Sequence, residues 1–143
     1  MKKVNFNPLM IPMKPSKSCA VRGLGNDIIE IARIRQSIER QGDPFLNRLF
    51  TQRELDYCQK FQDPVPHYAG RFASKEAIVK AFGTGFGTKI QWHDIEVLND
   101  EFGKPIVSLS SSLQEKFDHP QILVSISHCV EYATAVAIWV GMQ

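Results

Sequence analysis

Apolar and polar positions along this chain switch between two periods. The segment Val21-Arg22-Gly23-Leu24-Gly25-Asn26-Asp27-Ile28-Ile29-Glu30-Ile31 is rich in branched apolar residues and punctuated by glycines, which favours a buried strand. The apolar spacing then lengthens to Ile31, Ile34 and Ile38, one face of a helix that should stop near Gln41-Gly42-Asp43-Pro44. A short apolar piece, Phe45 to Phe50, leads into Thr51-Gln52-Arg53-Glu54, a capping box that opens a helix through about Phe61. Pro64 and Pro66 close the next loop. Tyr68 to Phe82 is built of good helix formers and ends at Gly83, a C-terminal cap.

The second half reads as strands. Ile90 to Leu98 alternates in part, Asn99 to Pro105 is rich in turn residues, and Ile106 to Leu109 resumes extended character, so the pair predicts a hairpin. A short helix over Ser111 to Phe117 intervenes. Gln121 to Ser127 and Tyr132 to Val140 then predict two apolar strands joined by a tight turn at His128 to Glu131. There are no internal repeats. The expected fold class is α+β, with early helices packed on a mainly antiparallel sheet.

Composition adds limits to that picture. The 143 residues are 43% hydrophobic and 22% charged, which describes one soluble domain. The apolar stretches fall well short of the roughly 18 residues that a membrane-spanning helix needs. Three cysteines, at positions 19, 58 and 129, neither close a disulfide framework nor sit at the short spacing of zinc ligands. A reducing compartment, the cytoplasm, is the expected location. The formal charge of +2 hides an uneven distribution. Lys2, Lys3, Lys14 and Lys17 stand in the first twenty residues with no acid, and without them 13 bases face 15 acids. Residues 1–20 therefore read as a basic extension and residues 21–143 as the domain. Asn5, Asn7, Pro8 and Pro12 break the apolar core that a secretory signal requires, whereas organelle-targeting peptides share the basic, acid-poor composition.

Three segments could carry chemistry. Gly83-Thr84-Gly85-Phe86-Gly87 follows a helix instead of opening one, so it is no dinucleotide fingerprint, and it reads equally well as a helix end or a ligand-contacting loop. In Arg71-Phe72-Ala73-Ser74-Lys75-Glu76-Ala77-Ile78-Val79-Lys80, Glu76 and Lys80 lie four apart, as do Arg71 and Lys75. A surface salt bridge is the bland account, but Glu76 stands among apolar residues at the core boundary. Asp27 stands inside an apolar strand, where a carboxylate is expensive unless it is paired or coordinates a cation. Two hard oxygen ligands suit Mg²⁺, which commonly joins one or two carboxylates to substrate phosphates. Ser125-Ile126-Ser127-His128 closes a strand. His128 there could be structural, could act as a base, or could join Ser127 in donating to a phosphate.

Taken together, these segments resemble the holo-acyl-carrier-protein synthase type of 4′-phosphopantetheinyl transferase. The resemblance runs from Val21 to about Val140. It rests on Gly23-Leu24-Gly25-Asn26-Asp27-Ile28-Ile29-Glu30 with Arg33-Ile34, on Gly70-Arg71-Phe72-Ala73-Ser74-Lys75-Glu76-Ala77 through Lys80-Ala81-Phe82-Gly83-Thr84-Gly85, and on Val124-Ser125-Ile126-Ser127-His128 with Glu131-Tyr132-Ala133. Such enzymes move the phosphopantetheine arm of coenzyme A onto a serine of an apo acyl carrier protein, releasing adenosine 3′,5′-bisphosphate. The resemblance implies Asp27 and Glu76 as catalytic residues and Mg²⁺ ligands. It assigns Arg71, Lys75 and Lys80 to the phosphates or their surroundings, Ser127 and His128 to the adenosine end, and Lys104-Pro105 to a turn beside the nucleotide. It also implies a homotrimer with sites between subunits.

An acidic carrier needs a basic dock. Ile31 to Arg53 holds Arg33, Arg35, Arg40, Arg48 and Arg53 against Glu39 and Asp43, a local net of +3, and Arg33, Arg35 and Arg40 are the expected docking residues. The sequence departs from the family pattern at Leu123, where many relatives have histidine, and at Asn26, where an apolar residue is common. Two other functions use the same residues: a non-catalytic module that binds coenzyme A or a carrier protein, and a Mg²⁺-dependent phosphate-ester hydrolase. A nucleic-acid role lacks the basic stripe interleaved with aromatics that it needs.

Overall fold

The computed structural model describes residues 19–142. In chain order it contains β1 (Cys19–Glu30), α1 (Ile31–Gln41), α2 (Asp43–Leu49), α3 (Gln52–Cys58), α4 (Val65–Ala81), β2 (Ile95–Asn99), β3 (Pro105–Leu109), α5 (Ser111–Lys116), β4 (Gln121–His128) and β5 (Tyr132–Met142). The expected α+β class holds: β1, β5 and β4 form an antiparallel sheet in that order, and β2 and β3 form a separate hairpin. β1 begins at Cys19, ahead of the expected Val21, because Cys19 and Ala20 pair with Met142 and Gly141. The rest of the basic extension lies outside the described residues.

Helix α4 is the spine. Its Ala73, Ala77 and Ala81 are buried, and it packs on β1 where that strand carries Gly23 and Gly25. A Cβ at Gly23 would be driven into the carbonyl oxygen of Ala81, and one at Gly25 into that of Ala77. The glycines are thus required by a close approach of two backbones, neither of which can rotate away as a side chain would. Gly25→Ala is expected to cost about 3 kcal/mol or more, since it overpacks backbone against backbone. In a thermal melt this appears as a fall of about 10 °C in Tm, and a fall below about 2 °C would disprove the rigid contact.

Apolar side chains fill both sides of the spine. Ile31 and Ile34 of α1 meet Phe45, Leu49, Phe50, Leu55 and Tyr68, while Ile78 and Val79 join Ile90, Ile95, Val97 and Leu113. Phe82, Phe117 and Trp139 close the second cluster as mutually packed rings. The capping box at Thr51 forms as expected, with Thr51 Oγ1 accepting from the Glu54 amide and Glu54 Oε2 accepting from the Thr51 amide.

Three local expectations shift. Phe45 to Phe50 is largely helical, because Gly42 turns the chain at φ 63° and Pro44 then occupies the first turn of α2. Pro66 likewise sits in the first turn of α4, where its missing N–H costs no bond, so this helix starts at Val65. Over Ile90 to Leu98 a 3₁₀ turn at Trp92–Asp94 precedes the strand, held by reciprocal bonds between Gln91 and Asp94.

Candidate active site

Asp27 lies on the α4-facing side of β1, two residues beyond Gly25. The close approach at the glycines therefore brings its carboxylate to the helix. Lys80 donates from Nζ to Asp27 Oδ1 at 2.8 Å and to the Asn26 carbonyl at 2.9 Å. Glu76 stands one helical turn before Lys80. Partial burial, and then the negative charge of Asp27, push the Glu76 carboxyl above the usual carboxylate range, while Lys80 pulls the other way. Two carboxylates that repel across a strand–helix seam form a site that a cation relieves. No group of three or more His, Cys, Asp and Glu residues comes together among the described residues. A cation at this seam would take one or two protein carboxylates and complete its shell with water and substrate oxygens, which fits Mg²⁺.

About 7.5 Å along the axis of α4 from Glu76, a distance set by five residues of helical rise, Arg71 faces a different setting. It is almost fully buried, donates from Nη2 to Asn99 Oδ1 at 2.7 Å, and lies over the Tyr57 ring with its guanidinium carbon 4.1 Å from the centroid. Its Nε has no hydrogen-bond partner among the described residues. Arg71, Tyr57, His67, Asn99, Pro105 and His128 line a cavity of about 210 Å³, with Ile126 also at its wall. A buried guanidinium with an unused donor, in a cavity walled by polar and aromatic groups, is chemistry suited to an anion carried on a heterocycle.

Not every expected residue reaches these two places. Lys75 is turned into the interior, where it pairs with Glu54 Oε2 at 2.7 Å and donates to the carbonyls of Leu49 and Trp92 at 2.8 and 3.0 Å. Burial holds its ammonium below the usual lysine range in spite of Glu54. Its three protons are used within the core, so Lys75 presents no charge to a ligand's phosphates. Helical spacing puts Arg71 and Lys75 on one stripe, but that stripe faces α3 and β2. Ser127 is exposed on the outer face of β4, opposite Thr134, whereas Ile126 and His128 line the cavity. Lys104 is exposed on the β2–β3 turn beside Pro105.

The run beginning at Gly83 is a helix cap in this structure. Gly83, at φ 72°, donates to the Lys80 carbonyl and Thr84 to that of Val79. Phe86 then stacks on Trp92. Tyr57, His67 and Asn99 join the cavity without a sequence signal that assigns them to it. His67 stands beside prolines that mark a loop, and Asn99 carries only a turn signal.

The expected dock is also changed by folding. Arg33, Arg35 and Arg40 are all exposed on α1, but Arg35 pairs with Asp63 at 2.7 Å, and Arg53 pairs with Glu96 at 2.9 Å. Both acids come from outside the Ile31 to Arg53 window, so the net of +3 overstates the basic surface.

Comparison with known proteins identifies the family of the chain. Residues 23–137 match the family described as ACPS, the 4′-phosphopantetheinyl transferase superfamily. The holo-[acyl-carrier-protein] synthase of Protochlamydia amoebophila is 56% identical over 117 residues, covering 82% of this chain and 96% of that protein. That of Chlamydia pneumoniae is 51% identical over 115 residues, covering 80% and 93%. Among solved structures, the Bacillus anthracis synthase in complex with coenzyme A (3′,5′-ADP) is 36% identical with a TM-score of 0.74, over 87% of this chain and 99% of that one. The Helicobacter pylori synthase in complex with coenzyme A is 33% identical with a TM-score of 0.75, over 81% and 98%. Because the family match spans residues 23–137 and the Protochlamydia amoebophila relative is 56% identical over most of both chains, the chain belongs to the 4′-phosphopantetheinyl transferase superfamily.

Proposed function

We infer that the protein transfers 4′-phosphopantetheine from coenzyme A to a serine of an apo acyl carrier protein, releasing adenosine 3′,5′-bisphosphate. The observation that carries this reading is the joint placement on α4 of the Glu76–Lys80 seam against Asp27 and the buried Arg71 at the cavity. In the reaction the carrier's serine oxygen bonds to the phosphorus that carries the pantetheine arm, and the bond from that phosphorus to the bridging oxygen breaks. The serine proton passes to Glu76, a carboxylate held at the seam beside Lys80 and Asp27. Lys80 neutralises pyrophosphate oxygens, and Arg71 with His128 holds the adenosine end. Asp27 and Glu76 would hold Mg²⁺, which supplies charge neutralisation at the transferring phosphoryl group. No side-chain nucleophile is needed, because the serine belongs to the carrier.

Transfer is tested by incubating the chain with coenzyme A, Mg²⁺ and an apo carrier, and weighing the carrier by mass spectrometry. A gain of one phosphopantetheine is expected. Hydrolysed coenzyme A with an unchanged carrier would support a hydrolase, and no chemistry a binding module. The exposed Arg33 and Arg40 make α1 the proposed carrier dock, with Arg35 contributing less because of Asp63. Capture in the same assay should weaken as salt rises, and a salt-independent KM for the carrier would remove the electrostatic dock.

The same reading covers assembly and location. The outer face of the sheet carries a row in register, Leu24, Ile138 and Leu123, with Ile28 and Val136 close by. Leu24 is 67% exposed, Ile28 63% and Leu123 47%, an apolar surface that a solitary chain rarely leaves in water. Leucine at 123 makes that row wholly apolar where a histidine would interrupt it. This face supports self-association, and the resemblance to the family implies that the assembly is a homotrimer with sites between subunits. Leu24→Asp should leave a monomer by sedimentation, and a wild-type chain that sediments as a monomer at micromolar concentration would overturn the assembly. No helix among the described residues is long and apolar enough to cross a membrane. The cysteine pattern supports a cytoplasmic location.

A further inference from the structure

One group in the cavity beside Arg71 has no part in the transfer reaction. His67, in the first turn of α4, lines that cavity with Arg71 and His128. Its ring stacks on Phe61, with centroids 3.5 Å apart and planes 18° apart, and meets Tyr57 and His128 edge-on at 6.4 and 6.0 Å. Three aromatic neighbours fix the plane of the imidazole, so it is held as part of the cavity wall.

The charges around it are nearly all of one sign. Arg71 comes from its own helix, His128 from β4 and Tyr57 from α3, and Asp63 lies in the loop ahead of α4. Asp63 is already engaged by Arg35 at 2.7 Å. None of the described residues lining this cavity is acidic. Burial first, then Arg71 and His128, hold the His67 imidazole below its ordinary range. In the chain by itself the ring is therefore mainly neutral at pH 7. A phosphate monoester in this corner would reverse the balance, because its negative charge pairs with Arg71 and favours the protonated ring. The unpartnered Nε of Arg71 provides a donor that such a group can use.

Resting on the assignment of this cavity to the adenosine end of coenzyme A, we propose that His67 discriminates for the 3′-phosphate monoester of the nucleotide, taking up a proton as that group binds. Discrimination then depends on pH with a defined sign. It is strong below the pKa of His67 in the complex and fades as pH rises through that value. A nucleotide without a 3′-phosphate gains nothing from the ring's charge, so its affinity is not tied to His67.

The test is equilibrium binding of adenosine 3′,5′-bisphosphate and adenosine 5′-monophosphate to the full chain and to His67→Phe, which keeps the stack on Phe61 and removes the charge. For the bisphosphate, the variant's Kd should exceed that of the wild type about tenfold near pH 6 and match it near pH 8, one unit of proton linkage being tenfold. For the monophosphate the two Kd values should agree at both pH values. Ionisation of the ligand itself cancels in the ratio of variant to wild type. His67→Gln, a second neutral variant, should reproduce the result and serves if the phenylalanine disturbs folding. A bisphosphate ratio that does not change with pH, or one matched by the monophosphate, overturns the role of His67 and leaves transfer intact. Failure of the wild type to bind the bisphosphate overturns the cavity's assignment and this proposal together.

Discussion

Lys75→Met lowers the stability of the folded chain by about 3–5 kcal/mol, the usual consequence of removing one member of a buried ion pair. Glu54 and Lys75 are both fully buried and 2.7 Å apart. Glu54 also accepts from the backbone amides of Thr51 and Val97, and Lys75 donates to the carbonyls of Leu49 and Trp92. The pair thus ties the end of α2, the start of α3, the turn before β2 and the middle of α4 into one junction. Methionine matches the volume of the lysine stem, but it leaves a carboxylate without its cation and two carbonyls without a donor. Urea unfolding should show a lower midpoint with an unchanged m-value. The double variant Lys75→Met, Glu54→Gln should lose less than the sum of the two single variants, because the uncompensated charge is gone. A loss below about 1 kcal/mol for the single variant would show that the junction does not depend on its charges.

Glu76→Gln separates activity from stability. The side chain keeps its length and one acceptor oxygen but can neither take the serine proton nor contribute a full charge to a cation. Transfer is expected to fall by about 10²–10⁴-fold at saturating Mg²⁺, the range of a lost general base. Near-normal turnover would exclude the base role. Stability should move the other way. Burial and Asp27 raise the folded-state pKa of Glu76 above its unfolded value, so the favourable contribution of its protonated form is complete below the unfolded pKa and is lost as pH rises through the folded pKa. Without divalent cations, Glu76→Gln should therefore melt above wild type at neutral pH, and the gap should close as pH falls toward the ordinary range of a glutamate. Added Mg²⁺ should narrow the gap by stabilising the wild type more than the variant. A variant that melts lower than wild type at neutral pH would show that Glu76 supports the fold instead of straining it.

These two residues are neighbours in sequence and opposites in use. Glu76 is legible in the sequence, because a carboxylate beside apolar helix positions and a second one inside an apolar strand both need a partner. The lysine next to it carries the same kind of signal, a cation on a helix with an apolar surround, and the family pattern draws it toward the phosphates. Its direction depends on Glu54, whose sequence context announces only a capping box. The box is real, yet one carboxylate serves it and the buried lysine together. A window of sequence holds no record of which distant group a charge will meet, and the same limit makes the arginine surface look more basic than it is.

Sequence by itself determined the α+β class, the strand that carries Asp27, the helix that carries Glu76 and Lys80, and the need of each carboxylate for a partner. It could do so because these signals are local: period, caps, turn residues, and the cost of a lone charge among apolar neighbours. Only the tertiary structure decided that Gly23 and Gly25 exist for the backbone of α4, that Lys75 belongs to the core, and that Tyr57, His67 and Asn99 share one cavity with Arg71. Those facts depend on groups tens of residues apart meeting across packed elements, and the packing of β1 on α4 is what brings most of them into place.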